Sequence, residues 1–218
     1  HGFTVETAED LPEISGTAYV MRHNATGARV MWLACPDGNK AFSIAFKTPP
    51  ANDTGVFHIL EHSVLCGSDK FPVKEPFVHL LKSSMQTFLN ALTFSDKTMY
   101  PVASTNDRDL ENLMEVYLDA VLHPNIYSRP RIFEQEGWHY ELGEATDEAQ
   151  TAGSSEVTED AGTNSGAEGA DANAADLAAR PLVCNGVVYN EMKGALSDPD
   201  EILIMGINRQ LFGETPYG

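Results

Sequence analysis

Five residues, His58-Ile59-Leu60-Glu61-His62, restrict the fold of this chain more than any other stretch. An H-x-x-E-H run acquires meaning on a helix. At about 100° per residue its three ionisable side chains fall within roughly a third of the circumference. Two neutral imidazoles four residues apart then reach one divalent ion at roughly 2.0–2.1 Å each. The glutamate between them is left to handle the proton of a water on that ion. Flanking residues support a helix. Gly55-Val56-Phe57 leads in after Asp53-Thr54, and Cys66-Gly67-Ser68 offers a stop with glycine at the C′ position. Phe57, Leu60 and Val64 recur at i, i+3 and i+7, a stripe expected to dock the helix and turn the histidines toward a cavity. Two surface histidines around a surface glutamate are the bland alternative, and that context argues against it.

A catalytic zinc site takes three protein ligands and keeps one position exchangeable. Glu191 is the candidate third ligand. Within Gly186–Leu196 its carboxylate lies four residues after Val187 and four before Ala195, inside what is otherwise an apolar stripe. A carboxylate there is costly unless a cation pairs with it. A salt bridge to Lys193 or Arg180, or exposure at a helix start, would also account for it. Glu134, Glu136, His139 and Glu141 are rival ligands. Alternation through Phe133–Leu142 predicts a strand, so only some of them can face a metal. Cys66, four residues after His62, fits a small buried apolar position better than a ligand position.

The 218 residues, 42% hydrophobic, suffice for one sizeable core. No apolar run approaches the ~18 residues of a membrane span, and His1-Gly2-Phe3 carries no basic-then-apolar leader. Neither a membrane nor a secretory route is expected. Cys35, Cys66 and Cys184 are odd in number and lack C-x-x-C spacing, which fits a reducing compartment. The expected location is therefore cytoplasmic, with an organelle matrix open if a leader has been removed. A net charge of −18 argues against nucleic acid as a partner, because phosphate contacts need clustered lysine and arginine. Nine of the acids fall between Glu144 and Asp176, where there is no Lys or Arg. Rich in Ala, Gly, Ser and Thr, residues 144–178 read as an acidic low-complexity insertion, a solvated surface loop within one domain.

Thr17–His23, Ala28–Ala34 and Ala41–Lys47 alternate apolar with polar residues around turn-forming Asn24–Gly27 and Asp37–Asn39, which predicts three antiparallel strands. After the H-x-x-E-H helix, the pattern predicts a helix over Glu75–Met85 and a strand over Thr87–Phe94. A turn at Ser95–Lys97 and a paired strand over Thr98–Ala103 follow. Leu110, Leu113, Met114, Tyr117, Leu118 and Val121 mark an amphipathic helix capped by Asn106 or Asp107. The Glu191 helix and a helical stretch from Pro199 to Phe212 complete the chain. The expected class is α+β: a mixed, largely antiparallel sheet with helices packed on one face.

The H-x-x-E-H order is that of inverted zinc peptidases. Further stretches carry a closer likeness: Thr54–Ser68, Thr87–Ala91, Tyr100–Ser104, Gln135–Leu142 and Gly186–Gly194. In these the chain resembles the pitrilysin and insulin-degrading family of metallopeptidases, in its presequence-protease branch, over nearly its whole length except the acidic insertion. The resemblance implies that His58, His62 and Glu191 hold one Zn2+ per chain and that Glu61 is the general base. It also implies that Phe88, Leu89, Asn90 and Ala91 belong to an edge strand along which an extended peptide docks main chain to main chain. Family members enclose unstructured peptides in a chamber built from four related domains. This chain would be the N-terminal catalytic domain, incomplete at its C-terminal end. Its partners would be peptide substrates and the remaining domains of the same polypeptide, and alone it would be inactive. The spacing from His62 to Glu191 is longer than the family pattern, and the acidic insertion would account for most of the excess. A non-catalytic assembly subunit of the same fold, or a module whose zinc is structural with Cys66 as fourth ligand, are the competing functions.

Overall fold

The computed structural model describes residues 2–73, 76–144, 177 and 180–217. Apart from Glu144 and Leu177, the acidic insertion lies outside the described residues, as does Glu75, the expected start of the second helix. Strands β1 (Phe3–Leu11), β2 (Gly16–His23) and β3 (Arg29–Ala34) form one antiparallel sheet in that order. Two of these match expectation. The sequence pattern missed β1, because a register shift between Val5 and Thr7 interrupts its alternation and Glu6, Glu9 and Asp10 dilute its apolar content. The third expected strand, β4 (Lys40–Lys47), leaves this sheet and joins another.

That second sheet positions the site. Its central strand is β7 (Lys97–Ser104), with β4 on one side and β5 (Gln86–Leu89) and β6 (Leu92–Thr93) on the other. All pairings are antiparallel, and Phe42 lies opposite Val102 as Ile44 lies opposite Tyr100. These residues share one face. Helices α1 (Val56–Val64) and α3 (Asp107–Leu122) cover it, and the core comprises Val64, Leu89, Tyr100, Val102, Leu113 and Tyr117. On β4 the intervening Ser43 and Ala45 are exposed. The class is α+β with helices packed on one face of the central sheet, as expected. Asn106 caps α3 by accepting a hydrogen bond from the Asp109 backbone N–H at 3.1 Å.

A continuous strand over Thr87–Phe94 does not form, and β7 supplies the reason. The Asn90 N–H donates to the Pro101 carbonyl at 3.2 Å. Proline has no N–H to return to the Asn90 carbonyl, so one rung of the ladder is missing and the strand divides into β5 and β6. The Tyr117 hydroxyl, 3.3 Å away, donates to that carbonyl instead. Burial raises the Tyr117 phenol well above its ordinary range, with the Glu61 charge adding to the effect, so it stays protonated as the donor.

Helix α1 docks differently from the expected stripe. Ile59, Ser63 and Val64 are buried, whereas Leu60 is 38% exposed. Its last turn closes at Leu65, placing Gly67 one position beyond the expected C′ site. Gly67 has φ +113°, and a Cβ there would lie 2.9 Å from the Val73 carbonyl oxygen. Asn125 grips this turn, its backbone N–H donating to the Gly67 carbonyl and its side chain to that of Ser68. Asp119 accepts the Lys70 N–H at 2.8 Å, tying the same loop to α3.

After α2 (Pro76–Ser83) and α3 come α4 (Arg131–Glu136), β8 (His139–Leu142), β9 (Leu182–Asn185), α5 (Val187–Ala195) and α6 (Pro199–Phe212). Strands β8 and β9 pair antiparallel as a separate ribbon. Among the described residues no helix is long and apolar enough to cross a membrane.

Leu113→Ala, at a side chain with no exposure, should lower unfolding free energy by about 2–5 kcal/mol. Tyr117→Phe, which leaves the Asn90 carbonyl without its donor, should cost about 1 kcal/mol. Denaturant titration of the variants checks both, and an unchanged midpoint for Leu113→Ala would contradict the core assignment.

Candidate metal centre

Helix α1 presents His58, Glu61 and His62 to a cavity of about 690 Å3, with the two imidazole centroids 5.0 Å apart. Glu191, from α5, completes the cluster. Its Oε2 lies 3.7 Å from His58 Nε2 and 3.6 Å from His62 Nε2. Both separations are too long for good hydrogen bonds. Ligands about 2.0–2.1 Å from one tetrahedral ion are held roughly 3.3 Å apart, so the spacing fits a shared cation. Among the described residues, His58, His62 and Glu191 are the group whose ligand atoms all lie within 4.8 Å of one another. Glu191 is not in a buried stripe, however: its side chain is 55% exposed, and on α5 Val188 is the buried residue. Burial cost therefore does not explain Glu191; convergence with the two histidines does.

Contacts between glycines bring α5 to that position. The β8–β9 ribbon aligns His139 with Asn185 and Leu142 with Leu182, so it closes the long chain excursion between them. At its inner end the backbone of Gly186 packs on Gly137. A Cβ on Gly186 would lie 2.2 Å from the Gly137 carbonyl oxygen, which only glycine avoids. The Tyr189 N–H then donates to that same carbonyl at 3.4 Å.

The stretch Phe133–Leu142, expected as one strand, divides at this contact. Residues through Glu136 are helical, and the strand begins only at His139. The division directs Glu136 inward. It is 7% exposed, and its Oε2 lies 3.4 Å from His62 Nδ1. The Glu136 carboxylate raises the His62 pKa; burial opposes this, and the Glu61 and Glu191 charges add to the rise. Conversely, His62 holds the Glu136 carboxyl below its usual range, against burial. A proton on Nδ1 toward Glu136 would leave Nε2 free to face Glu191, the tautomer that metal ligation needs. The other rival ligands lie elsewhere. His139 Nδ1 is 2.7 Å from the Glu134 carbonyl oxygen, His139 Nε2 faces Glu141, and Glu134 and His139 line a separate cavity. The Cys66 thiol donates to the His62 carbonyl at 3.6 Å and is outside the three-residue group.

Glu61 is 7% exposed, and its Oε2 accepts a hydrogen bond from the Thr93 hydroxyl at 2.6 Å. Asn90, Ala91, Leu92 and Thr93 form the wall opposite α1. Of the expected docking residues, Phe88 is 47% exposed and points away from the core, Leu89 is buried in the core, and Asn90 and Ala91 line the cavity. Sequence reading missed Thr93 as a partner of Glu61 and saw Glu136 only as a rival ligand. A buried carboxylate implies a donor, but periodicity does not identify which hydroxyl supplies it.

Comparison with known proteins finds relatives in sequence and in fold. The sequence profile of the family described as Insulinase (Peptidase family M16) matches residues 48–170. Protein HypA of Clostridium perfringens (strain 13 / Type A) is 49% identical over 216 residues, 99% of this chain and 19% of that protein. Presequence protease 1, chloroplastic/mitochondrial, of Arabidopsis thaliana is 43% identical over 217 residues, covering 100% of this chain and 17% of its own length. The chain thus spans less than a fifth of these relatives. In three dimensions it is similar to pitrilysin, with a TM-score of 0.50 and 20% identity over 60% of this chain and 15% of that one.

If His58, His62 and Glu191 hold zinc, Glu136→Gln should weaken its binding by about 10–100-fold, because it removes the carboxylate that orients His62. Competition with a chromophoric chelator measures this; unchanged affinity would make the Nδ1 contact incidental.

Proposed function

The chain belongs to the Insulinase family, peptidase family M16, and on that premise we propose that it carries the zinc site of an endopeptidase that degrades unstructured peptides. The observation supporting this most directly is the placement of Glu191 Oε2 within 3.7 Å of both His58 Nε2 and His62 Nε2. His58, His62 and Glu191 would hold the ion. Bound there, zinc would supply Lewis-acid polarisation of the scissile carbonyl and acidify the attacking water. Glu61 takes the proton of that water and passes it to the leaving amine. Its position one residue before His62 keeps the base beside the ligands without making it one.

The wall from Asn90 to Thr93 orients the substrate. An extended peptide alongside β5 and β6 pairs through its main chain, which gives affinity with little demand on sequence. No Lys or Arg lines the cavity among the described residues, so its carboxylates favour positively charged peptides. The remaining domains of the parent polypeptide would close the chamber and exclude water. Residues 1–218 alone would therefore bind zinc and hydrolyse little or nothing.

Glu61→Gln in the complete protein should lower kcat by at least ~10²-fold while zinc remains bound. Glu191→Gln should instead lose metal on dialysis. Metal analysis and peptide hydrolysis separate the two. Normal turnover in Glu61→Gln would remove Glu61 as the base, and unchanged zinc in Glu191→Gln would assign the third ligand elsewhere.

A further inference from the structure

We propose that Thr93 is a positioning residue for catalysis: its hydroxyl fixes the carboxylate plane of Glu61, so that one oxygen is anchored and the other is presented to the attacking water. The inference rests on the peptidase reading and adds a residue to it. A carboxylate that abstracts a proton needs a defined direction, yet the terminal torsion of glutamate is broad and roughly two-fold. Position in α1 fixes only the start of the side chain. At 2.6 Å, Thr93 Oγ1 lies well within hydrogen-bond distance of Glu61 Oε2. The Glu61 carboxylate accepts this bond through Oε2.

Thr93 is suited to this task by its own constraints. Branching at Cβ limits its χ1 rotamers. Its backbone is held in β6, where Thr93 pairs with Thr98 of β7, and Thr98 Oγ1 is in turn 2.8 Å from Thr48 Oγ1. The donor therefore comes from the rigid central sheet and the base from α1, so the contact fixes their relative position across the cavity. Thr93 also continues the wall that contains Asn90 and Ala91. One short segment would then guide the peptide and orient the base that cleaves it. Misplacing a catalytic group by about 1 Å can cost on the order of 10²-fold in rate, which sets the scale expected for losing this anchor.

The test uses the complete zinc-loaded protein and a fluorogenic basic peptide. Thr93→Val keeps the shape and removes the donor; Thr93→Ser keeps the donor and removes the methyl group. Thr93→Val should lower kcat by about 10–100-fold. KM should stay within about 2-fold, because uniform binding is untouched. Zinc content should be unchanged, and Thr93→Ser should recover kcat to within about 3-fold of the parent. Crystal structures supply a readout independent of turnover: one Glu61 carboxylate orientation in the parent and Thr93→Ser, and a rotated or divided one in Thr93→Val. If Thr93→Val does not fold, Thr93→Ala takes its place with the same expectations. Normal kcat in the donor-less variant, an equal loss in Thr93→Ser, or loss through zinc or KM would each overturn the proposal. Failure of the peptidase reading looks different, because Glu61→Gln would then retain turnover; that result would overturn the role of Thr93 as well.

Discussion

The carboxylates of Glu61, Glu136 and Glu191 converge on His58 and His62 from three helices, and no lysine or arginine lines the cavity among the described residues. Such a cluster repels itself unless positive charge enters. Protonating His62 offers one solution in the absence of metal, and the raised His62 pKa reflects that tendency. A divalent ion offers a stronger one, since it neutralises two charges and takes the imidazole lone pairs at the same time. The surrounding structure serves to hold these five side chains together against their repulsion.

Each group is held by a different device. His58, Glu61 and His62 share α1, which is docked through Ile59, Ser63 and Val64 and tied at its end by Asn125. Glu191 depends on the close approach of Gly186 to Gly137 and on the β8–β9 ladder. Glu136 depends on the end of α4 falling at that same glycine. Gly137 therefore has two consequences at once. It ends the helix that carries the carboxylate behind His62, and it leaves room for the start of the helix that carries the third candidate ligand.

Legibility in the sequence follows the range of the interaction. The H-x-x-E-H helix and α3 are written in spacing within one element, and both form where the pattern places them. Strands β2, β3, β4 and β7 are similarly visible in alternation. Features set by a partner element are not. The interruption at Asn90 and Ala91 originates in Pro101 on the neighbouring strand, and the helix-to-strand change after Glu136 originates in a glycine contact with Gly186. For Glu191 the residue was legible but the argument was not, since convergence with the histidines replaces the expected buried stripe.

Under the proposed peptidase reading the ion would be catalytic rather than structural, and the placement of Cys66 supports that reading. A structural zinc closes its shell with four protein ligands, commonly including cysteine. Here the Cys66 thiol is engaged by the His62 carbonyl and by the Glu136 carboxylate, and the ligand group contains three residues. Under the proposed reading, Glu61 is what separates an active centre from an inert relative. A carboxylate 7% exposed, beside two others, is an expensive choice for a scaffold, because an apolar residue of similar size would pack there without self-repulsion. Its hydrogen bond to Thr93 meets part of its desolvation cost but removes none of its charge. Under the proposed peptidase reading, Glu61 would accept a proton at the edge of the cation site.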